Sequence, residues 1–120
     1  SRPKYWKTVE EPLDLTGALR KQKYKYEVII IDCLTLYLSN LMHKGLKQGE
    51  IIKRIKDAAG YIKAMKESVI VISNEVGLGI VPENKLAREF RDISGLSNQI
   101  MAKAADEVVF IQAGIALKLK

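Results

Sequence analysis

A chain of 120 residues, 48% of them hydrophobic, is long enough for one small domain with a sizeable core and too apolar to be disordered. Lys and Arg outnumber Asp and Glu by 20 to 14, and the net charge of +6 suggests anionic partners such as nucleotides or phosphates, although the lysines are scattered. A single cysteine, Cys33, excludes an internal disulfide, and no apolar run approaches the ~20 residues of a membrane-spanning helix. With no signal-like apolar region at the N-terminus, these features point to a reducing cytoplasm. The opening Ser1, in place of Met, suggests a processed or truncated product.

Residues 1–12 carry Arg2, Pro3, Trp6, Thr8 and Glu10, and Tyr5–Val9 is expected to form a short surface strand with one packed Trp, stopped by Pro12. Leu13–Lys25 is polar and lysine-rich; Leu15 and Leu19, four apart, allow one or two exposed amphipathic turns. Val28-Ile29-Ile30-Ile31 is β-branched throughout and ends on Asp32. An acid at the end of such a strand either holds magnesium beside phosphates or caps the next helix. Leu34, Tyr37, Leu38, Leu41 and Met42 fall at helical spacing, with Gly45 as the stop. The only histidine, His43, sits in that helix's last turn, where a surface residue favoured by the helix dipole is the simpler reading than a catalytic one. Gln48–Lys66 repeats the pattern through Ile51, Ile52, Ile55, Ala58, Ala59, Ile62 and Met65.

The stretch Ser68–Gln99 organises the chain. Val69–Ile72 is continuously apolar and reads as a strand buried on both faces, followed by the polar Ser73-Asn74-Glu75 and by Gly77 and Gly79, which permit a tight turn or close approach to a ligand. Pro82-Glu83 fits the first turn of a helix, and Glu83–Ala104 is amphipathic with an expected interruption near Ser94-Gly95. Arg88, Arg91, Asp92, Asn98 and Gln99 along it form either an ion-pair network or a phosphate and partner surface. Glu107–Ile111 is a third strand, and Gly114–Lys120 can supply a last one. Strands alternating with helices imply an α/β fold with a mainly parallel sheet, in which Ser73–Gly79 lies at a carboxyl strand end, where ligands bind.

Arg2-Pro3 with Trp6, Thr8 and Glu10, Asp32-Cys33-Leu34-Thr35-Leu36, Leu38-Ser39-Asn40, Ser73-Asn74-Glu75-Val76-Gly77, Gly79-Ile80-Val81-Pro82, Arg88, Phe90-Arg91-Asp92, Gly95, Asn98-Gln99 and Ala105-Asp106-Glu107-Val108 together resemble one family over nearly the whole chain. It is the bifunctional adenosylcobinamide kinase / adenosylcobinamide-phosphate guanylyltransferase family of cobalamin biosynthesis. The resemblance implies a RecA-like P-loop fold, usually trimeric, that phosphorylates adenosylcobinamide with a nucleoside triphosphate. It then takes GMP from GTP onto a histidine and passes it to adenosylcobinamide phosphate. ATP, GTP and Mg2+ are the implied cofactors. By the same resemblance Asp32 serves the magnesium, Glu75 is a catalytic acid in the site or a hydrogen-bonding group that holds its loop, and Arg2, Asn74 and Gly77 meet the nucleotide.

The family also carries a strand, a Gly-x-x-x-x-Gly-Lys-Ser/Thr loop and a GMP-accepting histidine before the position of Arg2. No Gly-Lys-Ser or Gly-Lys-Thr occurs here, and His43 does not occupy the nucleophile's motif. Residues 1–120 therefore resemble the C-terminal two-thirds of a single P-loop nucleotide-binding domain, expected to be inactive alone. Without a central strand the isolated chain is expected to aggregate, swap elements or rearrange its sheet. Two other readings are a non-catalytic binding or assembly module that keeps the family's oligomer and ligand surfaces, and a nucleic-acid-binding domain. The last is disfavoured because the aromatics are few and not interleaved with a basic stripe.

Overall fold

The computed structural model describes residues 2–77, 79 and 83–120. Its elements run α1 (Leu15–Gln22), β1 (Val28–Asp32), α2 (Leu34–His43), α3 (Gln48–Ala64), β2 (Ser68–Ile72), α4 (Lys85–Ala104), β3 (Val109–Gln112) and β4 (Ile115–Lys118). Strands β1 and β2 pair in parallel, with Ile30 opposite Ile70 and Asp32 opposite Ile72. This small parallel sheet flanked by helices makes the fold α/β. Strands β3 and β4 form a separate antiparallel hairpin. Its two-residue turn, Ala113-Gly114, has φ of 51° and 75°, the left-handed pair that suits the right-handed twist of the flanking strands.

The core lies among the helices. Leu34, Leu38 and Leu41 on α2, spaced to share one stripe, bury against Ile51 and Ile55 of α3 and Ile93 of α4. Helix α2 starts with Cys33, whose Sγ accepts from the Leu36 N–H at 3.4 Å, and stops before Gly45 at φ 96°. Helix α4 is capped by Asn84 Oδ1, which accepts from the N–H groups of Leu86 and Ala87 at 2.8 and 3.2 Å.

Four expectations are corrected. No strand forms at Tyr5–Val9; Trp6 closes a turn onto the Pro3 carbonyl and is 47% exposed, because among the described residues no neighbouring strand satisfies that backbone. The segment after Leu13 is more than an exposed turn: Asp14 caps α1 through the Gly17 N–H, and Leu19 is only 3% exposed. Helix α4 begins at Lys85 rather than Glu83 and runs unbroken through Ser94 and Gly95; the Pro82 expectation falls outside the described residues. Strand β2 is not buried on both faces. Ile70 and Ile72 are 51% and 41% exposed, and Val28 and Ile30 on the same face of β1 are 52% and 40% exposed, because among the described residues the helices cover only the other face.

Polar contacts tie the connecting segments to this frame. The Leu13 carbonyl accepts from the Tyr37 hydroxyl at 3.3 Å and from Arg54 at 3.0 Å, while Asn40 donates to the Pro12 carbonyl at 3.2 Å. Burial pushes the Tyr37 phenol above its ordinary pKa, so it stays a neutral donor. At the opposite end of the strands, Glu67 Oε2 accepts from the Tyr24 N–H at 2.5 Å, joining the α1–β1 connection to the α3–β2 turn. That hydrogen bond holds the carboxyl below its ordinary value of 4.5. A pKa depressed by folding contributes stability above the unfolded value, which is lost as pH falls through the folded one. The stability advantage of the native chain over Glu67→Gln is therefore expected at neutral pH and should vanish as pH drops below 4.5, which paired urea titrations across that range would measure.

Candidate functional site at the strand ends

The carboxyl ends of β1 and β2 lie side by side, since Asp32 and Ile72 are register partners. Asp32 is not a helix cap, that role falling to Cys33. Its Oδ2 instead lies 3.7 Å from Arg2 Nη2, with both side chains about half exposed. Arg2 also donates to the Thr8 hydroxyl at 3.4 Å. Such an exposed pair is worth under about 1 kcal/mol, so the carboxylate remains open to another cation.

Beyond β2, Asn74, Glu75 and Gly77 follow in one loop. Glu75 Oε1 accepts from the Gly77 N–H at 2.8 Å. A Cβ at Gly77 would stand 2.9 Å from that oxygen, so glycine here lets the carboxylate fold onto its own loop. Arg91 of α4 donates to the Gly77 carbonyl. Arg91 and Gly77 also line an open depression of about 470 Å³ together with Gln48, Asp92, Gly95, Leu96 and Gln99. Asp32 does not line it, so the depression and the acid at the strand end are separate features, not one pocket.

A further set of polar side chains meets at Asn74: Ser73 belongs to the strand-end segment and Asn98 to the polar set along α4 that the sequence points to, while their union with Thr35 is not legible there. Asn98 of α4 donates through Nδ2 to the Asn74 carbonyl at 3.3 Å. A carbonyl can only accept, so Asn98 Oδ1 faces the other way, onto the Ser73 hydroxyl at 2.6 Å, and Ser73 is the donor there. With that proton committed, the 3.4 Å contact between Ser73 and Thr35 of α2 has Thr35 as donor. The Thr35 oxygen in turn accepts from the Asn74 N–H at 2.9 Å. The hydrogen bonds thus form a closed ring, from the Asn74 N–H through Thr35, Ser73 and Asn98 back to the Asn74 carbonyl. The members are 24 to 39 residues apart where the ring crosses between elements, which is why spacing alone does not reveal it.

His43 lies exposed at the end of α2 with Nδ1 2.9 Å from the Ser39 carbonyl, so that nitrogen carries the proton. Among the described residues no three His, Cys, Asp or Glu side chains gather into a metal site. Magnesium asks for less: one or two carboxylates, with waters and substrate phosphates completing the shell, and Asp32 fits that smaller role. No helix among the described residues is long and apolar enough to cross a membrane.

The model of the cobinamide kinase / cobinamide phosphate guanyltransferase family matches residues 1–119. The chain belongs to that family. It is 34% identical over 132 aligned positions to the bifunctional adenosylcobalamin biosynthesis protein CobU of Escherichia coli K12, covering 99% of this chain and 72% of that protein. To the corresponding CobP protein of Pseudomonas aeruginosa it is 36% identical, covering 99% and 68%, and to CobU of Salmonella typhimurium 35% identical, covering 99% and 72%. Family membership places the α/β strand ends described above in a kinase and guanylyltransferase lineage.

Proposed function

We propose that the chain supplies the strand-end half of a two-step enzyme that phosphorylates adenosylcobinamide and then transfers GMP from GTP to adenosylcobinamide phosphate. Residues 1–120 are the C-terminal two-thirds of a P-loop nucleotide-binding domain, working as a cytoplasmic homotrimer. The observation that carries this reading is the convergence of Arg2, Asp32, Thr35 and the Asn74–Gly77 loop at the carboxyl edge of β1 and β2, where open α/β sheets bind ligands.

The residues divide the work. Asp32 places one negative charge at the strand end, where it would hold magnesium. Magnesium, when bound, neutralises phosphate charge as the bond to the leaving group breaks. Arg2 releases Asp32 and turns its guanidinium to the triphosphate, a step that is easy because their pairing is weak. Gly77 brings the loop backbone near the nucleotide, and Glu75, already fixed on the Gly77 N–H, shapes that approach or takes the proton of the attacking hydroxyl. The Gly-Lys-Ser/Thr loop and the accepting histidine are not among these 120 residues, so the chain by itself binds and does not turn over. A second reading, an assembly module without catalysis, draws support from the exposed apolar strand faces.

Calorimetric titration with GTP and with ATP tests the main reading. Binding is expected to depend on magnesium, and Asp32→Asn should weaken it at least about tenfold in magnesium but not in EDTA, the scale of one lost charged contact. Intact mass after incubation with magnesium and GTP should show no covalent GMP. Absence of triphosphate binding would sink the proposal, and a GMP adduct on this chain would overturn the division of labour.

A further inference from the structure

The ring around Asn74 spends three side chains from three parts of the chain on the backbone N–H and C=O of a single residue. Thr35 comes from α2, Ser73 from the position just after β2 and Asn98 from α4; Ser73 is exposed and the other two are only half-buried, so none sits where full burial would demand such satisfaction. In an exposed position water could serve the same groups, so the gain in stability is small. What the ring does supply is geometry. Both polar groups of the Asn74 backbone are held, while its own side-chain carboxamide makes no hydrogen bond among the described residues. A primary carboxamide offers a donor and an acceptor side by side, and it pairs best with a ligand edge that presents the complement.

We propose that Thr35, Ser73 and Asn98 are positioning residues that hold the Asn74 peptide so that the Asn74 carboxamide reads an amide-type donor–acceptor edge on the substrate. This rests on the proposed function, whose substrates contain that edge in two places: the peripheral carboxamides of cobinamide and the N1–H/O6 edge of guanine. The ring also explains the side-chain types. Thr35 and Ser73 must each donate once while accepting once, which a hydroxyl alone does, and Asn98 must accept on one atom and donate from the other, which Asp, Leu or Ala does not. Hydrogen bonds in such a directed loop polarise one another, so breaking any one loosens the rest.

The test is a double-mutant cycle on the freshly gel-filtered chain, with cobinamide and GTP titrated separately and amide hydrogen exchange followed at Asn74. For whichever probe Asn74 meets, Asn74→Ala should weaken binding about tenfold, the effect of one well-made hydrogen-bond pair. Thr35→Val and Asn98→Ala should each weaken it several-fold and speed Asn74 exchange, whereas Thr35→Ser, which keeps the hydroxyl, should restore both. Added to Asn74→Ala, the ring substitutions should cost less than about twofold more, because the group they aim is already gone. Equal losses in the presence and absence of the Asn74 side chain would overturn the inference, as would unchanged Asn74 exchange in Thr35→Val. Binding that Asn74→Ala leaves intact overturns this inference alone; no binding of either probe by the native chain overturns the functional reading together with it.

Discussion

Truncating Leu38 to alanine is expected to lower the unfolding free energy by about 3 kcal/mol. Leu38 is fully buried midway along α2, in the cluster it forms with Leu34, Leu41, Ile51, Ile55 and Ile93. The loss combines the transfer free energy of the deleted carbons with the cavity left among side chains fixed by three helices. Its weight comes from the smallness of that core: only ten hydrophobic residues are buried among those described, while much of the two sheets faces outward. A domain of this length has a total stability on the order of 10 kcal/mol at best, so the substitution removes a large share of it. Urea titration should show a lowered midpoint with an unchanged slope. Leu36→Ala, two residues away on the exposed side of the same helix, should change stability by less than about 0.5 kcal/mol. Similar losses at both positions would show that helix propensity, not burial, controls α2.

The helices that build this core were readable because their apolar residues repeat on one face. Leu34, Tyr37, Leu38 and Leu41 fix α2, and Ile51, Ile55, Ala58 and Ala59 fix α3, each within a residue or two of its expected ends. The unbroken course of α4 was not readable. Ser94-Gly95 looks like a break in sequence, yet Ser94 and Ser97 are fully buried on α4, and α3, against which α4 packs, buries Ala58 and Ala59. Small residues on both helices let them come close, and that tertiary packing outweighs the poor helix propensity of Ser and Gly. The helical nature of the segment around Leu19 was obscured for a related reason: one buried leucine and an Asp14 cap suffice when the next helices supply the contact surface.

At the site, chemistry tied to single positions was readable and chemistry shared across elements was not. Asp32 and the Asn74–Gly77 loop stand out because a strand ends at each. The pairing of Arg2 with Asp32, 30 positions apart, depends on where the N-terminal segment meets the end of β1, and the Thr35–Ser73–Asn98 ring on how α2, β2 and α4 meet, which no local spacing encodes. The strands mislead in the opposite direction. A continuously apolar run such as Val69–Ile72 signals burial on both sides, because its residues show no alternation in polarity. The described chain covers one side only.

That uncovered face leads to a sharp expectation for behaviour in solution. Val28, Ile30, Ile70 and Ile72 lie together on it, and among the described residues no further strand pairs with the outer edge of β1 or of β2. An apolar surface of this kind beside open strand edges drives association between copies. Replacing the register partners Ile30 and Ile70 together, Ile30→Lys with Ile70→Glu, is expected to shift the chain from concentration-dependent association to a monomer in sedimentation velocity. Folding should survive, because both side chains are already 40% and 51% exposed and opposite charges at paired positions attract by about 0.2–1 kcal/mol. The packed face, carrying Ile29, Ile31, Val69 and Val71, is left intact. If the double variant keeps its thermal midpoint yet associates as the native chain does, the cause lies elsewhere. The β3–β4 hairpin would then be responsible, since Val109, Ile111, Ile115 and Leu117 are exposed on it and among the described residues no third strand joins it. A charge at Ile115 would separate that case from this one, because Ile115 lies outside the parallel pair and its substitution leaves the strand-end site untouched.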